Sequence, residues 1–186
     1  MMRASHRSLQ HTLIAVLLLF GVRTASAQQI VEDIGHYAQL GLPIAAAGIS
    51  IIKNDKQGVV QLAKTVVVES VLVYSLKQVI DRERPNGGRF AFPSGHTALS
   101  FTSATYLYKR YGWRYGVPAT VVASFVGYSR YGIDEPVHYF SDVAAGAAIG
   151  IITSLLLTSR YENIPKVTIG GGWGAGSAAL HCTLTF

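Results

Sequence analysis

Several residues of the types that bind phosphate in proteins occur between positions 77 and 130 of this sequence. Lys77 is a flexible point charge, and Arg84 and Arg130 carry planar guanidinium groups whose paired donors match phosphate oxygens. Ser94 and Gly95 precede a segment of helical spacing, and the free backbone N–H groups at a helix start favour an anion. Taken one at a time, such residues are usually solvated surface groups or helix caps. Together they predict a phosphate-binding cradle.

Two histidines and an aspartate add the groups needed to transfer a bound phosphate. His138 and Asp142 are four residues apart, so on a helix they share a face, and the carboxylate can orient the imidazole. The other ring nitrogen is then free to attack phosphorus. His96 can donate a proton to the departing oxygen as general acid. A His–Asp pair at this spacing is also common as a plain helix-surface contact, and that interpretation stays open for the pair alone.

The elements that must bring these residues together are helices. Turn signals such as Asn54-Asp55, Gly112 and Pro165 separate five segments of helical length. The segments are 31–53, 58–81, 96–112, 115–131 and 139–160. In an up-and-down bundle, the ends that carry the cradle and the histidines meet at one end. The sequence therefore predicts an all-α fold, an antiparallel bundle of five to six helices.

The two ends of the chain differ from the predicted bundle. Residues 1–27 contain an apolar run after two arginines and end in Ala25-Ser26-Ala27, which predicts a cleaved signal peptide. The alternative is an uncleaved N-terminal anchor that supplies a sixth helix, although the apolar run is short for a membrane span. Residues 28–166 form the predicted helical domain. Residues 167–186 form a glycine-rich tail whose alternation is typical of a short hairpin.

Hydropathy and charge indicate that the bundle lies in a membrane. Hydrophobic residues make up 49% of the chain, and the segment 143–157 is apolar on all sides. Basic residues at the helix ends away from the cradle follow the positive-inside rule, which places the cradle on the periplasmic face of a bacterial inner membrane. A soluble periplasmic bundle is the alternative, because the segments are short and partly polar.

The charge balance and the cysteine content exclude other classes. The 16 Lys and Arg residues fall to 13 without the three arginines of residues 1–27, against 10 Asp and Glu residues. That excess is too weak to predict nucleic-acid binding. Cys182 is the only cysteine, which excludes an intrachain disulfide.

The ordered motifs resemble the signature of the phosphatidic acid phosphatase type 2 (PAP2) superfamily. They are Lys77 six residues before Arg84-Pro85, then Pro93-Ser94-Gly95-His96, then Ser129-Arg130 followed by His138 and Asp142. The resemblance implies an all-helical bundle that needs no metal or other cofactor. It implies His138 as the nucleophile that forms phosphohistidine, Asp142 as its orienter and His96 as the acid. The implied phosphate ligands are Lys77, Arg84, Ser94, Gly95 and Arg130.

One departure from the family pattern concerns the loop between Arg130 and His138. Seven residues separate them here, whereas the family usually has five. Loop insertions cost little free energy, so a longer connection between two helices can be absorbed. The insertion nevertheless leaves the placement of Arg130 in doubt.

These expectations combine into a metal-independent phosphatase that faces the periplasm, with a lipid phosphate and the membrane as partners and no nucleic acid. The layout is similar to that of bacterial lipid A phosphatases, and undecaprenyl pyrophosphate, phosphatidylglycerophosphate and phosphatidic acid are competing substrates. One alternative is a soluble periplasmic acid phosphatase that acts on small esters. Another is a non-catalytic membrane module that binds phosphate, which the longer loop suggests.

Overall fold

The computed structural model is a bundle of five helices followed by a two-stranded hairpin. It describes residues 3–133, 136–161, 166–174 and 177–185, with side chains described in the helical part from residue 27 onward. The helices are α1 (Arg3–Ile52), α2 (Lys56–Ile80), α3 (Gly95–Tyr111), α4 (Trp113–Tyr131) and α5 (Phe140–Leu157). The antiparallel strands are β1 (Lys166–Gly174) and β2 (Ser177–Thr185). The prediction of a helical bundle is confirmed.

Helix α1 differs most from the sequence prediction, because it begins at Arg3 and not at residue 31. The stretch 23–30 contains Arg, Ala and Gln, which are good helix formers, and it contains no proline. Nothing local therefore interrupts the helix between the apolar run and the bundle. Helix α1 passes unbroken through residue 27. Cleavage after that residue stays a prediction.

Local capping explains two tight connections between helices. Asp55 caps α2, and its side chain accepts a hydrogen bond from the Gly58 N–H at 2.8 Å. Gly112 both ends α3 and precedes α4, and its φ of 89° is a conformation that only glycine adopts without strain. These two turns set α1 against α2 and α3 against α4.

Helix α3 is the centre of the bundle, since it contacts each of the other four helices. Helix α5 lies so close to it that a Cβ atom on Gly146 would stand 2.4 Å from the carbonyl oxygen of Ser94. A Cβ atom on Gly150 would stand 2.3 Å from the carbonyl oxygen of Ala98. Glycines permit this close approach between membrane helices. The packing places the start of α3 beside the start of α5.

The interior of the bundle contains many polar side chains beside its hydrophobic core, and the outer faces are largely apolar. Hydroxyl and carboxyl side chains are buried between the helices, among them Thr65, Glu69, Ser100 and Thr102. Large apolar side chains are exposed on the outer faces, among them Val67, Leu72, Ile152 and Leu156. Among the described residues, α2 and α5 are long and apolar enough to cross a membrane. This distribution is that of a membrane-embedded bundle, as the sequence predicts.

A buried ion pair closes the bundle at the end away from the predicted cradle. Arg110 donates from Nη2 to Oδ1 of Asp55 at 2.6 Å and from Nε to Oδ2 at 2.7 Å. Tyr111 donates its hydroxyl to the same carboxylate at 2.8 Å. Burial alone would raise the pKa of Asp55, but these bonds and the one from Gly58 outweigh it, and the pKa is lowered. The ion pair ties the α1–α2 turn to the end of α3.

Candidate active site

A cavity of about 460 Å³ opens at the end of the bundle where α2 and α4 end and α3 and α5 begin. Six of the eight predicted site residues line it: Lys77, Arg84, Gly95, His96, Arg130 and His138. The other two, Ser94 and Asp142, are fully buried and contribute no lining surface. The fold therefore brings residues from four separate parts of the chain to one cavity.

The loop between α2 and α3 holds two of the cations. Lys77 lies in the last turn of α2 and donates from Nζ to the carbonyl oxygen of Phe90 at 2.7 Å. Arg84 donates from its backbone N–H to the carbonyl oxygen of Gly88 and from Nε to that of Arg89 at 3.1 Å. Its two terminal guanidinium nitrogens have no hydrogen-bond partner among the described residues. They are free to bind an anion in pairs.

The start of α3 contributes backbone amides more than side chains. Ser94 is the N-cap residue, and its hydroxyl accepts a hydrogen bond from Thr97 Oγ1 at 3.0 Å inside the protein. Gly95 and His96 form the first turn, where N–H groups have no acceptor within the helix, and both residues line the cavity. Phosphate binding by the Ser94 side chain therefore stays a prediction.

Arg130 is buried at the end of α4 and is held by α1. Its Nη2 donates to the carbonyl oxygen of Glu32 at 2.6 Å, and its Nη1 lies 3.8 Å from the Glu32 carboxylate. The two helices can meet here because Gly35 has no side chain: a Cβ atom there would stand 2.0 Å from the hydroxyl oxygen of Ser129. The close crossing fixes the guanidinium in the wall of the cavity.

The long loop between Arg130 and His138 does not separate these two residues. The backbone N–H of His138 donates to the carbonyl oxygen of Arg130 at 3.1 Å, so the two ends of the loop meet directly. Residues 134 and 135 of this loop lie outside the described residues. The longer loop is thus compatible with the arrangement that the motifs require.

His138 is buried beside the cations. Burial lowers the pKa of its imidazole to about 4, and the charges of Arg84 and Lys77 act in the same direction. The ring is therefore neutral at physiological pH. Its Nδ1 atom has no hydrogen-bond partner in the part of the chain that the structure describes, and it lies 3.7 Å from Oδ2 of Asp142, beyond hydrogen-bond distance.

Asp142 is held instead by two other groups. Its Oδ2 accepts a hydrogen bond from the backbone N–H of Tyr139 at 2.9 Å, and its Oδ1 accepts one from Nη1 of Arg82 at 2.9 Å. The Arg82 guanidinium also lies over the ring of Tyr139, 4.3 Å from its centre. The motifs do not predict this contact of Arg82, for which the sequence offers only a clustering of basic residues in the loop.

Helix α1 supplies three lining residues that the sequence interpretation missed. Glu32, His36 and Gln39 face the same cavity. Nδ1 of His36 lies 3.3 Å from Nε2 of His96, at hydrogen-bond distance. The available signal was the spacing of four and then three residues, which puts three polar side chains on one face of a mostly apolar helix.

Comparison with known proteins identifies the family to which the chain belongs. The sequence profile described as the PAP2 superfamily matches residues 58–166, which is more than half of the chain. The chain belongs to the PAP2 superfamily. The family predicted from the motifs is confirmed.

Two relatives that this PAP2 protein matches over two thirds or more of its length are named lipid A phosphatases. It is 30% identical over 145 residues to the lipid A 4'-phosphatase of Helicobacter pylori, an alignment that covers 72% of each chain. It is 30% identical over 139 residues to a lipid A 1-phosphatase of Helicobacter pylori, covering 67% of this chain and 69% of the relative. These relatives are phosphoric monoester hydrolases, and the prediction that this PAP2 protein is such an enzyme is confirmed.

A solved structure shares the fold. The crystal structure of Aquifex aeolicus LpxE superposes with a TM-score of 0.52 at 25% identity and covers 72% of this chain and 93% of that one. All eight predicted site residues lie within the part that matches the PAP2 superfamily. Glu32, His36 and Gln39 precede that part, so the family match assigns them no role.

Proposed function

We propose that this PAP2 protein removes a phosphate group from lipid A, at the periplasmic face of the inner membrane, through a phosphohistidine intermediate. The observation that carries the proposal is a cavity at one end of a membrane-embedded bundle, lined by three cations and by three histidines, two of which belong to the predicted catalytic set. A phosphate group at the membrane surface matches that position and that charge.

Phosphate binding rests on Lys77, Arg84 and Arg130 together with the amides at the start of α3. Three positive charges exceed what one phosphate monoester neutralises, so binding is favoured even near an anionic membrane surface. The planar guanidinium groups fix the orientation of the phosphate as well as its position. The α3 amides add donors whose dipoles favour negative charge.

The first chemical step forms a bond between phosphorus and His138. Because the imidazole is neutral, its Nε2 has a free electron pair for the attack. The bond from phosphorus to the lipid oxygen breaks as the new bond forms, and the electron pair stays on that oxygen. His96 gives a proton to this oxygen, which leaves as the lipid alcohol.

The second step releases inorganic phosphate. His96, now neutral, takes a proton from a water molecule as the water oxygen attacks phosphorus. The phosphorus–nitrogen bond breaks, and its electrons return to His138. The cations stabilise the charge that spreads over the phosphate oxygens in both steps.

Asp142 acts on His138 from close by. The two side chains stand 3.7 Å apart, and a small movement on substrate binding brings them to hydrogen-bond distance, as is common for catalytic groups in unliganded enzymes. The bonds from Arg82 and Tyr139 hold the carboxylate in place for that contact. Asp142 then stabilises the positive imidazole that forms during the attack.

The choice of lipid A follows from the relatives and from the α1 side of the cavity. Two relatives that align over two thirds or more of this chain are named lipid A phosphatases. The carboxylate of Glu32 and the amide of Gln39 lie in the wall, where they match the hydroxyl and amide groups of a phosphorylated amino sugar. The apolar outer faces of the helices suit the acyl chains.

The charges at the two ends of the bundle support the periplasmic orientation. Basic residues near the end opposite the cavity are Lys53, Lys56, Lys109, Arg114 and Arg160. Basic residues also lie at the cavity end, but three of them, Arg82, Arg89 and Arg130, are paired there with carboxylates. In membrane proteins, positively charged residues concentrate on the cytoplasmic side. This rule supports a cavity that faces the periplasm.

Phosphate release from purified protein tests the proposal. Wild-type protein in detergent is given lipid A, undecaprenyl pyrophosphate, phosphatidylglycerophosphate, phosphatidic acid and a small soluble ester. We expect the fastest release from lipid A, and His138→Ala should reduce it to background. His181→Ala, in the hairpin, is the matched histidine control and should keep wild-type activity.

The outcomes separate the alternatives. Release only from the soluble ester would favour the acid phosphatase, and phosphate binding without release would favour the non-catalytic module. An active His138→Ala enzyme would refute the phosphohistidine route. Release from lipid in the outer leaflet of right-side-out spheroplasts checks the orientation.

A further inference from the structure

We propose that His36 on α1 relays protons between solvent and His96 and so acts as a positioning and proton-supplying residue for the general acid. The two rings are adjacent, with Nδ1 of His36 3.3 Å from Nε2 of His96 and ring centres 5.5 Å apart. His36 is exposed, while His96 is half-buried in the cavity wall. The inference rests on the proposed function of His96 and extends it to a helix outside the family match.

The helix crossing fixes this contact. Gly35, the residue before His36, meets Ser129 of α4 so closely that a Cβ atom would stand 2.0 Å from its hydroxyl oxygen. Arg130, the next residue of α4, binds the carbonyl oxygen of Glu32 one turn earlier on α1. His36 therefore directly follows two anchored positions on α1, and its position beside His96 does not depend on a mobile loop.

The charges around His96 explain why a relay is useful. Burial lowers the pKa of the His96 imidazole most, and nearby Arg130, His36, His138 and Arg84 lower it further. Among the described residues that line the cavity, Glu32 carries the only carboxylate, and it already faces Arg130. Because His96 holds a proton poorly, it must receive a proton after the phosphate has bound and the negative charge of the phosphate has offset the cations. His36 connects it to solvent for that purpose.

The atoms balance in both steps. As the lipid oxygen departs, Nδ1 of His96 gives up its proton to that oxygen, while Nε2 of His96 takes a proton from Nδ1 of His36. His36 regains a proton from bulk water on its other ring nitrogen, Nε2, so Nδ1 stays free to accept the proton that returns in the second step. In the second step the attacking water gives its proton to His96, and the same path returns one proton to solvent. No proton is gained or lost over the cycle.

The test exploits the leaving group. A long-chain alkyl phosphate releases an alkoxide that must be protonated, whereas p-nitrophenyl phosphate releases a stable phenolate that needs no proton. Since general acid catalysis contributes about 100-fold or more, we expect His36→Phe to lower kcat/KM for the alkyl ester by about 10- to 100-fold. The second step uses His36 for both esters, so the comparison is made on kcat/KM, which covers only the steps up to departure of the leaving group. For the aryl ester kcat/KM should stay within about twofold, while for the alkyl ester it should fall. Added imidazole should restore part of the lost activity.

Two further variants separate proton transfer from simple packing. His36→Gln keeps a hydrogen-bonding side chain but transfers no proton, so it should lose alkyl-ester activity as His36→Phe does. Tyr37→Phe, at an exposed neighbouring position, is the control and should match the wild type. Equal losses on both esters, or full activity of His36→Gln, would overturn the relay. A wild-type protein that hydrolyses neither these esters nor lipid A would instead refute the proposed function.

Discussion

Replacing Gly146 with alanine tests whether the packing of α3 on α5 determines the geometry of the active site. The added Cβ atom would stand 2.4 Å from the carbonyl oxygen of Ser94. Ser94 immediately precedes the turn that carries Gly95 and His96, and its N–H is bonded to the carbonyl oxygen of Asp142 at 2.9 Å. The substitution therefore pushes apart the two helix starts that carry the two proposed catalytic histidines.

The size of the effect follows from the contact distance. Carbon and oxygen atoms in ordinary contact are about 3.4 Å apart, so the helices must separate by about 1 Å. A displacement of about 1 Å between reacting groups costs about 100-fold in rate, or about 2.7 kcal/mol of activation free energy. Overpacking also destabilises the fold by about 1–3 kcal/mol. We expect a folded but weakened enzyme with kcat about 100-fold lower.

The assay compares three glycine variants. Phosphate release gives kcat for each, and thermal unfolding in detergent gives stability. Gly150→Ala creates a similar clash one turn deeper, so it should lose as much stability but less activity. Gly48→Ala has no neighbour within 4 Å and should be as active as the wild type, with a helix more stable by about 0.5–1 kcal/mol.

Two outcomes would contradict this account. If Gly146→Ala folds and keeps wild-type kcat, the spacing of the helix starts does not control the chemistry. If Gly150→Ala loses as much activity as Gly146→Ala, the loss comes from general instability and not from the displaced catalytic turn.

Two other predictions concern stability. Arg110→Ala leaves the Asp55 carboxylate buried without its partner, so it should destabilise the protein by about 3–5 kcal/mol. Arg114 is exposed, so Arg114→Ala should not destabilise the protein. An unchanged unfolding temperature in Arg110→Ala would refute this prediction. For His138, the unfolded chain takes up a proton near pH 6.5 but the folded chain only near 4, so acid favours unfolding. Stability should fall by about 3 kcal/mol over that interval. His138→Gln should lose that share of the pH dependence, measured as the difference in Tm between pH 7 and pH 4.5.

Much of the helical architecture could be predicted because its signals are local. Turn residues such as Gly112 and Asp55 place the helix boundaries within a few residues of those observed. The start of α1 could not be placed, because no proline or glycine marks a boundary near residue 27 and good helix formers continue the helix. Local signals mark where helices stop, and they are silent where a helix simply continues.

The active site also has features that local sequence signals predict and features that they do not. Six predicted residues line the cavity because motif residues at helix ends meet wherever an antiparallel bundle forms. The state of Ser94 and Asp142 was not predictable, since their hydrogen bonds to Thr97, Tyr139 and Arg82 depend on side-chain packing.

By itself, the sequence determined the helices, the membrane character and the residues that gather at one end, because spacing and composition act within single segments. Only the tertiary structure decided that α1 lies across the cavity and brings His36 to His96. That contact joins residues 60 positions apart and depends on the crossing at Gly35, where the absence of a side chain lets two helix backbones meet. Distances between segments are set by packing, and no local pattern encodes them.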